Sequence, residues 1–165
     1  MRSIKIRFCL MIINNFLIGT RFFKIKRNLL KIAGVSVGHN TKVVGPIYFG
    51  PKINIQFGEN CWIGKNLNLD GNGFVKIENN VDIAPHVVIN TGGHIIGSEE
   101  RRAGQGISSS IRIGVGTWIG TRVTIINQVN IEQGVVIAAG SVVKDSIPEN
   151  VLVAGVPAKI KKYLN

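Results

Sequence analysis

The stretch IRIGVGTWIGTRVTIINQVNIEQGVVIAAGSVV, residues 111–143, carries an aliphatic side chain at every sixth position: Ile113, Ile119, Ile125, Ile131, Ile137 and Val143. The same spacing returns upstream as Ile77, Ile83, Ile89, and earlier as Phe57, Ile63, Leu69. Four residues after the aliphatic comes a small or β-branched one: Thr117, Val123, Val129, Val135 and Ser141, with Val81 and Val87 upstream. Cys61 fills that slot after Phe57 and reads as a small core residue. Gly or Ala often follows the aliphatic directly, as at Gly58, Gly64, Ala84, Gly114, Gly120 and Ala138. A period of six fits neither a 3.6-residue helix nor a simple antiparallel meander. It fits short strands joined by turns and wound into a prism, each coil burying one aliphatic per face. The fold class expected is therefore all-β, a solenoid of parallel strands.

One segment breaks the pattern. Between Ile89 and Ile113 lies NTGGHIIGSEERRAGQGISSSIR. The gap is a multiple of six, so phase alone does not identify a loop. Continuing the count, however, would put Arg101 inside the prism, where an unpaired charge is costly. Gly104, Gly106 and Ser108 to Ser110 also favour an excursion. A protruding loop is expected over residues 90–112, and a long loop on a rigid scaffold is a common place for function.

The charge is uneven. The 165 residues carry a net +11, yet residues 1–58 hold ten Lys and Arg and no acid, whereas residues 59–165 balance ten against nine. Residues 1–33 form a basic arm that lacks a recognised nucleic-acid motif, so no nucleic-acid partner is expected. Its apolar stretch from Phe8 to Ile18 is interrupted by Asn14 and Asn15 and is too short to span a bilayer. From Arg21 to Ala33 helical spacing puts Phe22, Ile25, Leu29 and Ile32 near one stripe and Lys24, Arg27 and Lys31 near another, with Gly34 as the stop. Two readings follow: a helix packed on the domain, or an interfacial helix on an anionic leaflet. The remaining organisation is a solenoid domain over 34–147 and a C-terminal segment, 148–165, with a short helix. Two cysteines, Cys9 and Cys61, exclude a disulfide scaffold and suit a reducing, cytoplasmic compartment, with peripheral contact at the inner membrane as the arm's second reading.

The six-residue repeat resembles the hexapeptide-repeat proteins, whose fold is a left-handed parallel β-helix in which residues eighteen apart stack. Within them, IAPHVVINTGGH (83–94), IRIGVGTWIGTRVTI (111–125) and VVIAAGSVVKDSIPENVLVAGVPAKI (135–160) look like the sugar acetyltransferases of the maltose/galactoside type and the O-acetyltransferases of surface polysaccharide. That resemblance implies acetyl-CoA as acyl donor, a sugar or glycan acceptor of lipopolysaccharide, capsule or exopolysaccharide, and a homotrimer with active sites between subunits. It puts the catalytic base on His94, after a turn with one more Gly than the family's. Cofactor contacts carry over to Asn66, Thr121, Ala139, Lys159 and Lys162, with Gly120 and Ala138 beside them. Thr121 and Ala139 are eighteen apart, as are Gly120 and Ala138, so each pair would stack along one groove. The two lysines stand where the family has arginines, and Lys lacks the bidentate fork. Trp118 reads equally as core or as groove wall.

Among the three histidines, His39 reads as a solvated turn residue and His86 as a structural turn residue or a lining of the acceptor site; Arg101 and Arg102 of the loop read as solvated or as contacts to an anionic sugar or CoA. Glu99 and Glu100 are the carboxylates nearest His94 in sequence. The implied chemistry is direct acyl transfer, with His94 taking the hydroxyl proton. Two alternatives stand beside it. One is an N-acetyltransferase of a nucleotide-linked amino sugar. The other is a zinc protein like the γ-class carbonic anhydrases, which would need His39, His86 and His94 to converge; no metal is expected.

Overall fold

A computed structural model describes residues 2–165 as two short helices leading into a parallel β-helix. Three sheets form the faces. The first holds Ser36–Val37, Asn54–Phe57, Phe74–Ile77, Ser110–Ile113 and Val129–Ile131. The second holds Lys42–Val43, Trp62–Ile63, Asp82–Ile83, Trp118–Ile119, Val136–Ile137 and Val151–Ala154. The third holds Ile47–Phe49, Leu67–Asp70, Val88–Asn90, Thr124–Ile126 and Val142–Val143. The six-residue aliphatics fill the interior: Phe57, Ile77, Ile113 and Ile131 stack behind the first face, Ile63, Ile83, Ile119 and Ile137 behind the second, Leu69, Ile89, Ile125 and Val143 behind the third, all buried.

The pitch is not uniform. In the coils after the hairpin partners are eighteen residues apart, as expected: Ile111 pairs with Val129, Trp118 with Val136, Thr124 with Val142; in the last coil they are sixteen apart, Val136 with Leu152. In the earlier coils they are twenty apart: Asn54 with Phe74, Trp62 with Asp82, Asn68 with Val88. The two extra residues lie at the corner from the third face to the first, around Gly50–Pro51–Lys52 and, one coil later, Gly71–Asn72–Gly73. Gly71 turns there with φ +94°, a conformation L side chains rarely adopt.

At that same corner of the next coil the excursion emerges. It is a β-hairpin and not an irregular loop: Gly92–Ile96 runs antiparallel to Ala103–Ser108, with Gly92 opposite Ser108. Asn90 and Ser110–Arg112, counted in sequence as loop, belong to coil strands. Arg101 is exposed at the hairpin turn, which is where its charge requires it.

Polar residues in the small slots are satisfied by the backbone of a neighbouring coil or their own corner. Thr41 Oγ1 donates to Gly58 O at 2.6 Å and Ser141 Oγ to Ala138 O at 2.7 Å. Cys61 is core, its Sγ 3.0 Å from Glu78 O. Burial pushes its thiol up, as it does that of Cys9, so neither supplies a thiolate. Glycine at the corners is a packing demand: a Cβ on Gly58 would come within 2.5 Å of the Glu78 carbonyl carbon in the coil above.

Both ends of the solenoid are covered, as open sheet edges require. Helix α1 (Arg2–Phe16) and helix α2 (Phe23–Ile32) close the lower end. Asn14, read in sequence as a break in an apolar run, lies within α1 and pairs with the lowest strand: its Nδ2 donates to Ile47 O at 2.8 Å and its Oδ1 accepts from Ile47 N at 3.0 Å. The carboxamide thus substitutes for a missing neighbouring strand. Helix α2 ends at Gly34 as the sequence suggests. Val35 N bonds Leu30 O at 3.0 Å and Gly34 N bonds Lys31 O at 2.9 Å, with Gly34 at φ +83°, a Schellman ending. The upper end corrects the expected C-terminal helix: Lys159–Tyr163 is a strand, antiparallel to the last rung Val151–Ala154. Gly155, at φ +109°, and Pro157 reverse the chain, and the exposed edge of the last rung pairs with the returning strand.

On the first face the guanidinium of Arg112 bridges two coils. It donates to both Glu78 oxygens at 3.0 and 3.1 Å and to Glu132 Oε2 at 2.8 Å, while Lys76 stands 3.2 Å from Glu78. Burial works to raise the Glu78 carboxyl, but Arg112 and Lys76 outweigh it and hold the group below its ordinary 4.5. Its stabilising contribution is complete above the unfolded value and is lost as pH falls through the lower folded one. Thermal unfolding should therefore show a stability loss as pH falls below the ordinary 4.5 of the group, and Glu78→Gln should flatten part of it in calorimetry; an unchanged pH profile would mean the bridge contributes nothing.

Candidate active site

The small residues that follow each aliphatic of the second face stand at its trailing corner, one above another. Ala84, Gly120 and Ala138 each send their N–H to the next coil, at 2.9, 2.8 and 2.9 Å. Together with Thr121, Ala139 and Leu152 they line an apolar cleft of about 470 Å³ that runs parallel to the solenoid axis. Trp118, 56% exposed, forms a wall of this cleft and is not core. Gly120 is constrained by packing as well, since a Cβ there would come 2.6 Å from Ala139 N. The Thr121 hydroxyl donates to Pro85 O at 2.7 Å, so it ties two coils together at the cleft's edge.

Asn66 and His86 lie on the same corner one coil apart, both left-handed, at φ 59° and 63°. The Asn66 amide stands 3.5 Å from both ring nitrogens of His86. Arg122 occupies the next step of that column, also left-handed and exposed. Sequence reading passed over it, although its place one residue after Thr121 was the signal. Lys159 and Lys162 are on the C-terminal strand, opposite Ala154 and Leu152, and both are exposed. They therefore stand at the upper end of the cleft, which Leu152 bounds. Lys159 is 3.9 Å from Asp145, an exposed pair worth little in water.

His94 sits on the first hairpin strand and lines a different cavity, of about 520 Å³, with Asn72, Asn90, Gly93, Ile107 and Ser108. Its Nδ1 is 2.9 Å from Gly104 O on the facing strand. A carbonyl oxygen only accepts, so Nδ1 carries the hydrogen and the neutral ring keeps its lone pair on Nε2. The partner that orients His94 is thus a backbone carbonyl; Glu99 and Glu100 are exposed at the hairpin turn. Arg101 and Arg102 are at that turn too, Arg102 reaching Gly97 O at 3.3 Å, and neither lines the His94 cavity. Asn72 was not singled out in sequence, although it belongs to the two-residue insertion that breaks the six-residue count.

The chain brings together Gly120, Thr121, Ala138 and Ala139, with Asn66 and His86 just below and Lys159 and Lys162 just above. It keeps His94 apart, at the corner across the third face, and the two cavities share no lining residue. His39 is in an exposed turn after the lowest rung of the first face. Among the described residues no three His, Cys, Asp or Glu side chains converge to hold a metal ion.

No family model matches the chain. It is 39% identical to the galactoside O-acetyltransferase of Escherichia coli over 140 residues, 85% of this chain and 69% of that one. It is 34% identical to the putative lipopolysaccharide biosynthesis O-acetyl transferase WbbJ of Escherichia coli, over 72% of this chain and 76% of the relative. Among solved structures, a galactoside acetyltransferase in complex with coenzyme A matches with a TM-score of 0.85 at 34% identity, covering 99% of this chain and 81% of that one. A repeat that stacks into this β-helix, joined to identity of this extent, makes the chain a member of the galactoside O-acetyltransferase family of hexapeptide-repeat acetyltransferases.

Proposed function

We propose that the chain transfers acetyl from acetyl-CoA to a hydroxyl of a sugar destined for lipopolysaccharide, capsule or another polysaccharide, with His94 as general base. The observation that carries this is the tether of His94. The bond from Nδ1 to Gly104 O leaves Nε2 as the free basic nitrogen, pointing its chemistry away from the hairpin's own backbone. The acceptor oxygen attacks the thioester carbon as Nε2 takes its proton. The new C–O bond forms, the C–S bond breaks, and the sulfur leaves as thiolate and recovers that proton. No covalent enzyme intermediate is needed, which agrees with two buried, unactivated cysteines.

The cleft suits an extended pantetheine arm: it is apolar, long and walled by Trp118, and Gly120, Thr121, Ala138 and Ala139 keep it shallow enough for close approach. Lys159 and Lys162 would meet the phosphates of CoA at its upper end, and Asn66 would close its lower one. His86, Arg101 and Arg102 would take the acceptor side. Because His94 and the cleft are a face apart in one chain, the base of one subunit would serve the cleft of the next, in a homotrimer. The reaction would then run in the cytoplasm, where acetyl-CoA is made. The name of the lipopolysaccharide O-acetyl transferase relative supports a glycan precursor as acceptor.

Three measurements test this. His94→Ala should lower turnover about 10²–10⁴-fold while acetyl-CoA still binds; full activity would remove the base from its role. Mixing His94→Ala subunits with subunits whose cleft is filled by Ala138→Trp should restore activity that neither variant has alone, because intact sites form between unlike partners. No recovery on mixing would place the whole site within one chain. A screen of CoA release against free sugars, lipid-linked glycans and nucleotide-linked amino sugars, with and without a chelator, identifies the acceptor. Turnover confined to the amino sugars would make the enzyme an N-acetyltransferase, and loss with chelator would revive the zinc reading.

A further inference from the structure

The arm is packed on the domain, yet most of the stripe its sequence marks as apolar stays outside. Helix α1 buries Ile6, Cys9, Leu10 and Ile13. Its opposite side, at helical spacing, is Ile4, Phe8 and Met11, and these are 71%, 59% and 47% exposed. Lys5 and Arg7 stand exposed on the two flanks of that second apolar side. In α2 the inversion is sharper. The side chains it buries are Lys26 and Leu30, with Leu29 of the apolar stripe packed partly against the core, while Ile25 and Ile32 of that stripe, and Phe22 just before the helix, remain outside. Lys26 is accommodated by donating to Gly19 O at 2.6 Å, and by lying 5.2 Å from the Phe23 ring. Phe16 and Ile18, in and after the last turn of α1, are exposed as well.

Outward Phe and Ile side chains on a segment whose charges are all positive match one environment: the boundary between headgroups and acyl chains of an anionic bilayer. Residues 1–58 contain no acid, so charge repels a second copy of the arm, and the rest of the chain is close to neutral. Among the described residues no helix is long and apolar enough to cross a membrane, so the contact would be peripheral. We infer that the outer faces of α1 and α2 dock the enzyme on anionic phospholipid, with Phe8, Met11, Phe22 and Ile25 entering the interface and Lys5, Arg7, Arg21 and Lys24 meeting lipid phosphates. The inference is independent of which sugar is acetylated.

Sedimentation of the full chain with vesicles of phosphatidylglycerol and phosphatidylethanolamine tests it, against vesicles of phosphatidylcholine alone. The protein should pellet with the anionic vesicles and stay in solution with the zwitterionic ones, and binding should weaken at least tenfold in high salt. The variants Phe8→Ser with Phe22→Ser, and Lys5→Gln with Lys24→Gln, should each bind anionic vesicles at least tenfold more weakly. All four side chains are exposed, so circular dichroism and acetyl-CoA binding should be unchanged. Equal binding by wild type and variants, or no vesicle binding at all, would overturn the inference. A loss of the trimer in the Phe variant without any vesicle binding would overturn it too, by assigning the face to a contact between subunits.

Discussion

Everything in this molecule depends on the vertical registration of one aliphatic side chain per face. Ile77, Ile113 and Ile131 lie in line because the strands that carry them pair in parallel, residue to residue, and the same ladder aligns Ile83, Ile119 and Ile137. Parallel pairing gives each coil two neighbours and almost nothing else to bury against. The corner residues are therefore held small by the coil above, as at Gly58 and Gly120. A cleft of low relief along one corner is a by-product of that requirement before it is a binding site.

The stacking also explains what was legible in advance. Six-residue periodicity is a direct image of the faces, so the solenoid, its core and the excursion between Ile89 and Ile113 could be read from one chain. Pitch could not. The residues that lengthen the lower coils, around Pro51 and Asn72, show only as a step of eight between Leu69 and Ile77, which does not say whether the coil is longer or the repeat is interrupted. The C-terminal strand was missed because KIKKY has no two-residue alternation; it forms as an edge whose partner, Val151–Ala154, already exists. In α2 the apolar stripe was read correctly as a stripe but not as to which way it faces. The helix is fixed instead by Lys26, Leu30 and the bond from Arg27 to Thr41 O at 3.2 Å, contacts made across the lower end of the solenoid. Gly120, Thr121, Ala138 and Ala139 came from the family resemblance, and the eighteen-residue spacing put them in one column, where they do line one cleft. The tether of His94 was not legible, because Gly104 reaches it only through the register of a hairpin that sequence showed as loop.

The two cavities differ in their electrostatics. The cleft is nearly free of charge along its apolar length: Arg122 stands exposed beside it at the level of Thr121, and Lys159 and Lys162 are gathered at its upper end. A long ligand with an anionic end and an apolar arm is thereby oriented before any specific hydrogen bond forms. The imidazole, by contrast, lies among amides and hydroxyls, Asn72, Asn90 and Ser108, groups that can match the hydroxyls of a sugar.

One corner tolerates extra chain where the others do not. Gly50–Pro51–Lys52, Gly71–Asn72–Gly73 and the hairpin all emerge between the third face and the first, and the ladders on either side keep their partners. Lengthening or trimming here leaves the scaffold untouched while remodelling the surroundings of the imidazole. A change of chain length at this one vertex of the polygon would therefore reshape the cavity beside His94 and leave the wall of small residues around Gly120 and Ala138 as it stands.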